Sequence, residues 1–153
     1  LSLSELRALR GALQEEEDAV SFVRRIAQGR LDVVREERAR RAAGGHADAS
    51  AGELAAVFGQ QQGGGSARPP RDTEVPAHHP RLEQLTALCD QLHFADFAEL
   101  DDRELQELET GLIDFELAQS IDRKELFGRI DALSAELVAR YKTGGASVDS
   151  LLD

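Results

Sequence analysis

EDAVSFVRRIAQGRLD, residues 17–32, returns 99 positions downstream as ELAQSIDRKELFGRID, residues 116–131. Five positions define the shared frame. They are Glu17, Ser21, Arg24, Gln28 and Asp32 in the first copy, and Glu116, Ser120, Arg123, Phe127 and Asp131 in the second. An inner Gly-Arg pair recurs too, as Gly29-Arg30 and Gly128-Arg129. The offset holds upstream, where Glu5, Leu6, Leu9 and Leu13 align with Glu104, Leu105, Leu108 and Leu112. Two amphipathic helices share a leucine stripe by default, because the helical period alone produces one. A shared polar stripe has no such default cause, so the repeat marks a site. Steps of four, three, four and four keep all five residues on one helical face, at the rim of the apolar seam.

Outward from each copy the pattern stays helical. Residues 1–43 read as one long helix that starts on a Ser2/Glu5 capping box and stops at Gly44-Gly45. Leu6, Leu9, Leu13, Val20, Val23, Ala27 and Val34 form its seam, which Glu16 and Arg30 interrupt. Residues 101–143 read as the second long helix, capped by Asp101 and Glu104, with its register shifting near Gln119 and Asp122. Between them, residues 44–79 are rich in Gly, Ala, Ser, Gln and Pro and read as a linker, with a short amphipathic segment at 50–58. Residues 80–100 read as a short connecting helix and loop that begins at Pro80. Residues 144–153 form a tail. The fold class is therefore all-α: two long helices in an antiparallel coiled-coil hairpin, with short helices in a long connecting segment.

Charge selects the antiparallel direction. Residues 5–18 hold five acids and two bases, and residues 24–41 hold seven bases and three acids. Residues 101–116 hold seven acids and one base, and residues 123–142 hold five bases and three acids. Only the antiparallel pair sets each basic half beside an acidic half. With the motif centres level, position 7 faces 141, Arg24 comes level with Arg123, Asp32 is expected near Glu116, and Asp131 near Glu17.

Composition excludes several function classes. Charged residues make up 31% and aromatics 5%. That balance suits long helices better than a globular core. A net charge of −11 opposes direct nucleic-acid binding and suits a partner with a basic surface. The lone Cys89, the absence of an apolar run of membrane-spanning length and the lack of a signal peptide point to the cytoplasm and no membrane. There is no Cys/His nucleophile pair, no Gly-rich phosphate loop and no third ligand beside His78-His79, so neither an enzyme nor a metal is expected.

The stripe has the chemistry to hold a guanine nucleotide. Arginine presents a planar fork that fits phosphate or a guanine edge. An aspartate can accept from the N1–H and N2–H₂ donors of guanine, and Ser and Gln supply adjustable contacts. Duplicated about a pseudo-twofold, this set suits a twofold-symmetric guanine dinucleotide. The bland alternative is a coiled-coil scaffold or dimerisation module whose stripe makes surface salt bridges and binds no small ligand.

At these residues the sequence resembles the RsiG family of actinobacterial anti-sigma factors, which carry Glu-x₃-Ser-x₂-Arg-x₃-Gln-x₃-Asp on each of two antiparallel helices. The first copy matches at all five positions and the second at four, Phe127 standing in place of Gln. The resemblance implies a regulatory ligand, cyclic di-GMP, two molecules per complex, with all ten motif residues lining the site. It implies as partner a sporulation and flagellar sigma factor of the WhiG type, kept from RNA polymerase while the nucleotide is bound. Leu54, Val57 and Phe58, or Phe94 and Phe97, are apolar positions beyond what a two-helix hairpin covers and are expected to meet that partner; for the phenylalanines the alternative is a small cluster packed on the end of the hairpin.

Overall fold

A computed structural model of the chain describes residues 1–44 and 78–144. The linker reading of 44–79, the segment at 50–58 with Leu54, Val57 and Phe58, and the tail reading of 144–153 lie outside the described residues, apart from Gly44, His78, His79 and Gly144.

Helix α1 spans Leu3–Ala42. Its capping box is closed in both directions: the Glu5 amide donates to Ser2 Oγ at 3.1 Å, and the Ser2 amide donates to Glu5 Oε2 at 2.6 Å. The Ser2 amide and hydroxyl together hold the Glu5 carboxyl below its ordinary pKa. At the other end Gly44 takes a φ of 77 degrees. This left-handed conformation costs glycine nothing and releases the chain from the helix. Helix α2 spans Pro80–Gln91, with proline at its first turn, where the missing amide hydrogen is not needed. Its cap is His79, whose Nδ1 accepts from the Arg81 amide at 3.2 Å. His93, in the left-handed region, turns the chain into a 3₁₀ segment, Phe94–Glu99. Helix α3 spans Asp102–Lys142 and starts on the Asp101/Glu104 box.

Helices α1 and α3 contain 40 and 41 residues and run antiparallel. At the helical rise per residue, each extends roughly 60 Å. At one end Arg7 Nε donates to the Tyr141 hydroxyl at 3.0 Å. At the other, Arg41 Nη1 donates to Asp102 Oδ1 at 3.1 Å. The core falls into two clusters. Leu13, Val20, Leu126 and Ile130 join the two helices near the chain termini. Val23, Ala27, Leu31, Val34, Leu105, Leu108 and Leu112 form the larger cluster, which α2 closes with Leu85 and Cys89. Gly111 sits where α2 ends against α3, and a β-carbon there would lie 2.8 Å from Leu92 Cδ1.

The positions where the two seams are interrupted are the points at which the connecting segment attaches. Arg81 Nε donates to Glu16 Oε1 at 3.1 Å, and its Nη1 donates to Gln119 Oε1 at 2.9 Å and Asp122 Oδ2 at 2.6 Å. His79 Nε2 meets Glu16 Oε2 at 3.3 Å. With Nδ1 accepting from the Arg81 amide, Nε2 carries the hydrogen and donates. Burial works to lower the Arg81 pKa, but the bonds to Asp122 and Glu16 outweigh it and hold the guanidinium more firmly charged than usual. The second interruption, Arg30, lies over Phe94 with its guanidinium carbon 5.3 Å from the ring centroid. At that range the cation is attracted to the face of the ring. Phe94 and Phe97 stack on each other at 6.0 Å and pack half-buried against the larger core cluster. Below them Arg41 ties the connector down, donating to the Leu100 carbonyl at 2.7 Å and the Ala98 carbonyl at 3.1 Å. Buried Glu37 holds Arg41 in place and raises its pKa.

Candidate functional site

Glu17 directly follows Glu16, and Arg123 directly follows Asp122. One step along a helix turns a side chain by about 100°, so the motif lines the rim away from α2. On that rim the two copies interlock. Ser21 Oγ donates to Glu17 Oε1 at 2.5 Å within the first copy, and Ser120 Oγ donates to Glu116 Oε1 at 2.9 Å within the second. Each Glu/Ser pair then receives the arginine of the other copy. Arg123 Nε donates to Glu17 Oε1 at 3.1 Å and to Ser21 Oγ at 2.8 Å. Arg24 Nη1 donates to Glu116 Oε1 at 3.1 Å. The pseudo-twofold inferred from the repeat is thus realised in side-chain contacts, because the Glu17–Arg123 and Glu116–Arg24 pairs exchange under the offset of 99 positions.

The fourth motif position breaks the symmetry. Gln28 Nε2 donates to Glu116 Oε1 at 3.2 Å and adds a third bond to that carboxylate. Phe127, its counterpart, instead lies under Arg123, with the guanidinium carbon 4.7 Å from the ring centroid. The contact is a cation on an aromatic face. The fifth position takes no part in these contacts. Asp32 is half-buried and Asp131 exposed, and neither forms a hydrogen bond or ion pair with another described residue. Glu116, expected beside Asp32, takes Arg24 and Gln28 as partners, and Glu17, expected beside Asp131, takes Arg123. Two carboxylates side by side repel, whereas an arginine is long enough to reach diagonally to the opposed acid. The structure therefore brings eight of the ten motif residues into two linked clusters and leaves both aspartates as open acceptors at the ends. The recurring Gly-Arg pair is not shared machinery: Gly29 is buried in a cleft with Phe94, while Gly128 and Arg129 are exposed.

The residue that sequence reading passed over is Arg81. It lies outside the repeat and is a single charge in a helix taken for its apolar face. The signal was present as unexplained acids, Glu16 and Asp122, in two seams that should be apolar.

Among the described residues, no helix is long and apolar enough to cross a membrane. A family model described as RsiG-like matches residues 1–57 and 91–153 of the chain. No curated protein matches it.

Proposed function

The chain belongs to the RsiG-like family, which gives it the general role of an anti-sigma factor, and from that premise we propose that it holds a sigma factor of the WhiG type while cyclic di-GMP occupies the duplicated motif. The observation that carries this reading is the interlocked rim: two copies of Glu, Ser and Arg at one level of the hairpin, related by a pseudo-twofold, flanked by two aspartates that bond to no other described residue.

The chemistry follows from the parts. Cyclic di-GMP presents two phosphates and two guanines related by its own twofold. Arg24 and Arg123 supply planar donors for phosphate oxygens or for guanine O6 and N7. Asp32 and Asp131 accept from guanine N1–H and N2–H₂, a donor pair that adenine lacks. Glu17, Glu116, Ser21 and Ser120 hold the arginines in place, so less side-chain entropy is lost on binding. Two nucleotides occupy the complex, and the sigma factor is gripped by the loaded face together with apolar positions of the connector, Phe94 and Phe97 among them. Ligand and sigma factor that contact the same face raise each other's affinity by the same factor. The protein acts by binding, in the cytoplasm, with no reaction of its own and no metal.

A scaffold with no small ligand is the second reading. The observation that favours it is that the arginines and glutamates already satisfy each other across the helices. Calorimetry of the chain with cyclic di-GMP, with and without a WhiG-type sigma factor, separates the two. Saturable binding that tightens when the sigma factor is added supports the anti-sigma reading. Heat indistinguishable from dilution in both titrations leaves the scaffold. Loss of intact nucleotide on incubation would instead show an enzyme.

A further inference from the structure

We infer that the two copies of the motif form unequal half-sites that load in a fixed order, the one built on Arg123 and Phe127 before the one built on Arg24 and Gln28. This rests on the nucleotide reading of the rim and adds to it the sequence of events and the residue that sets it.

The two arginines are held by opposite ends. Arg123 is anchored through Nε, which donates to both Glu17 and Ser21, and its guanidinium carbon lies over the Phe127 ring. Its two terminal nitrogens form no hydrogen bond with any described residue. That edge matches two phosphate oxygens, or guanine O6 and N7, and no existing bond must break for a ligand to take it. Arg24 is held the other way. Its terminal Nη1 donates to Glu116, and its Nε is buried with no partner among the described residues. With Nη1 already donating to Glu116 and only Nη2 uncommitted among the described residues, a ligand that takes both terminal nitrogens of Arg24 competes with Glu116 for one of them.

Glu116 is also the more firmly held acid. It accepts from Ser120, Arg24 and Gln28 on one oxygen, whereas the corresponding oxygen of Glu17 accepts from Ser21 and Arg123 only. The difference traces to one position. A glutamine at 127 would reach Glu17 by the same pseudo-twofold that takes Gln28 to Glu116. Phe127 cannot, and it supplies instead an aromatic face under the Arg123 guanidinium, which holds the group without using its terminal nitrogens. The Arg123 half-site is therefore pre-organised, whereas a ligand at the Arg24 half-site competes with Glu116 for the arginine.

The test is calorimetric titration of the full chain with cyclic di-GMP, on the wild type and on Arg24→Lys, Arg123→Lys and Phe127→Gln. Lysine keeps the charge but removes the two-nitrogen edge, so these variants retain a cross-helix ion pair and fold; circular dichroism confirms it. The wild type should show two binding events at least tenfold apart in Kd. Arg123→Lys should weaken the tighter event by tenfold or more. Arg24→Lys should leave that event within threefold and remove the weaker one. Phe127→Gln should bring the two within threefold of each other. A single event in the wild type, or equal losses in the two lysine variants, overturns the order while leaving nucleotide binding intact. No binding by any form, with or without a sigma factor, is a different failure, that of the nucleotide reading itself.

Discussion

The Glu116–Arg24 pair is a cross-helix contact between side chains only about one-fifth exposed. Partial burial places its worth above that of a surface ion pair, and a double-mutant cycle with Arg24→Ala and Glu116→Ala should give a coupling of about 0.5–1.5 kcal/mol in denaturant unfolding. A coupling near zero would mean that the two arginines are not held by the opposed acids. Asp32 and Asp131 should behave in the contrary way, since no described residue bonds them. Asp32→Asn and Asp131→Asn should change stability by under about 0.5 kcal/mol. They should nonetheless narrow the preference for cyclic di-GMP over cyclic di-AMP, because an amide can turn only one acceptor toward guanine. Unaltered preference in both would remove the aspartates from base recognition. That the Glu, Ser and Arg positions of the two copies meet on one rim was legible in the sequence, because polar residues at matching helical spacing have no other reason to recur. Which acid meets which arginine was not. Levelling the backbones places Asp32 next to Glu116, and only side-chain reach and like-charge repulsion reassign Glu116 to Arg24.

At the scale of elements, the two long helices were readable from their caps and seams. Ser2/Glu5 and Asp101/Glu104 close the boxes that their spacing implied, and Gly44 and Gly144 turn left-handed where the helices end. The attachment of α2 was not readable, since it depends on one arginine bridging acids far apart in the chain. Arg81→Met keeps the aliphatic stem and removes the bridge. It leaves Glu16 facing Asp122 and strands the buried Gln119. The cost should be about 2–3 kcal/mol in unfolding free energy. Faster amide exchange along residues 80–91 should accompany it, and unchanged protection there would show that Leu85 and Cys89 alone hold the helix. Phe94 and Phe97 belong to this element too. Their sequence positions allowed either a packing cluster or an exposed knob. The structure packs both against the hairpin, half-buried, so any partner meets their outer edges.

For the whole molecule, the charge of −11 is unevenly spread, with acidic and basic halves neutralising each other across the hairpin and a net acidic excess left over. Association with a basic sigma-factor surface should therefore be steered electrostatically. Stopped-flow measurement should show the association rate falling by about tenfold or more between low and physiological salt, with a smaller change in dissociation. A rate independent of salt would assign recognition to apolar contacts alone. The antiparallel arrangement also has a mechanical side. Arg140 Nη1 donates to the Leu1 carbonyl at 2.5 Å, so the first and last described turns lie together at one end of the rod. A load applied between residues 3 and 142 would peel the helices apart like a zip, a few contacts at a time, instead of shearing all of them at once. The two-layered end, held by Leu13, Val20, Leu126 and Ile130, would give way first. The peeling front would then reach the motif rim, with Arg81 bracing the hairpin from behind. A ligand clasped across the rim at that point would act as the stop on the zip.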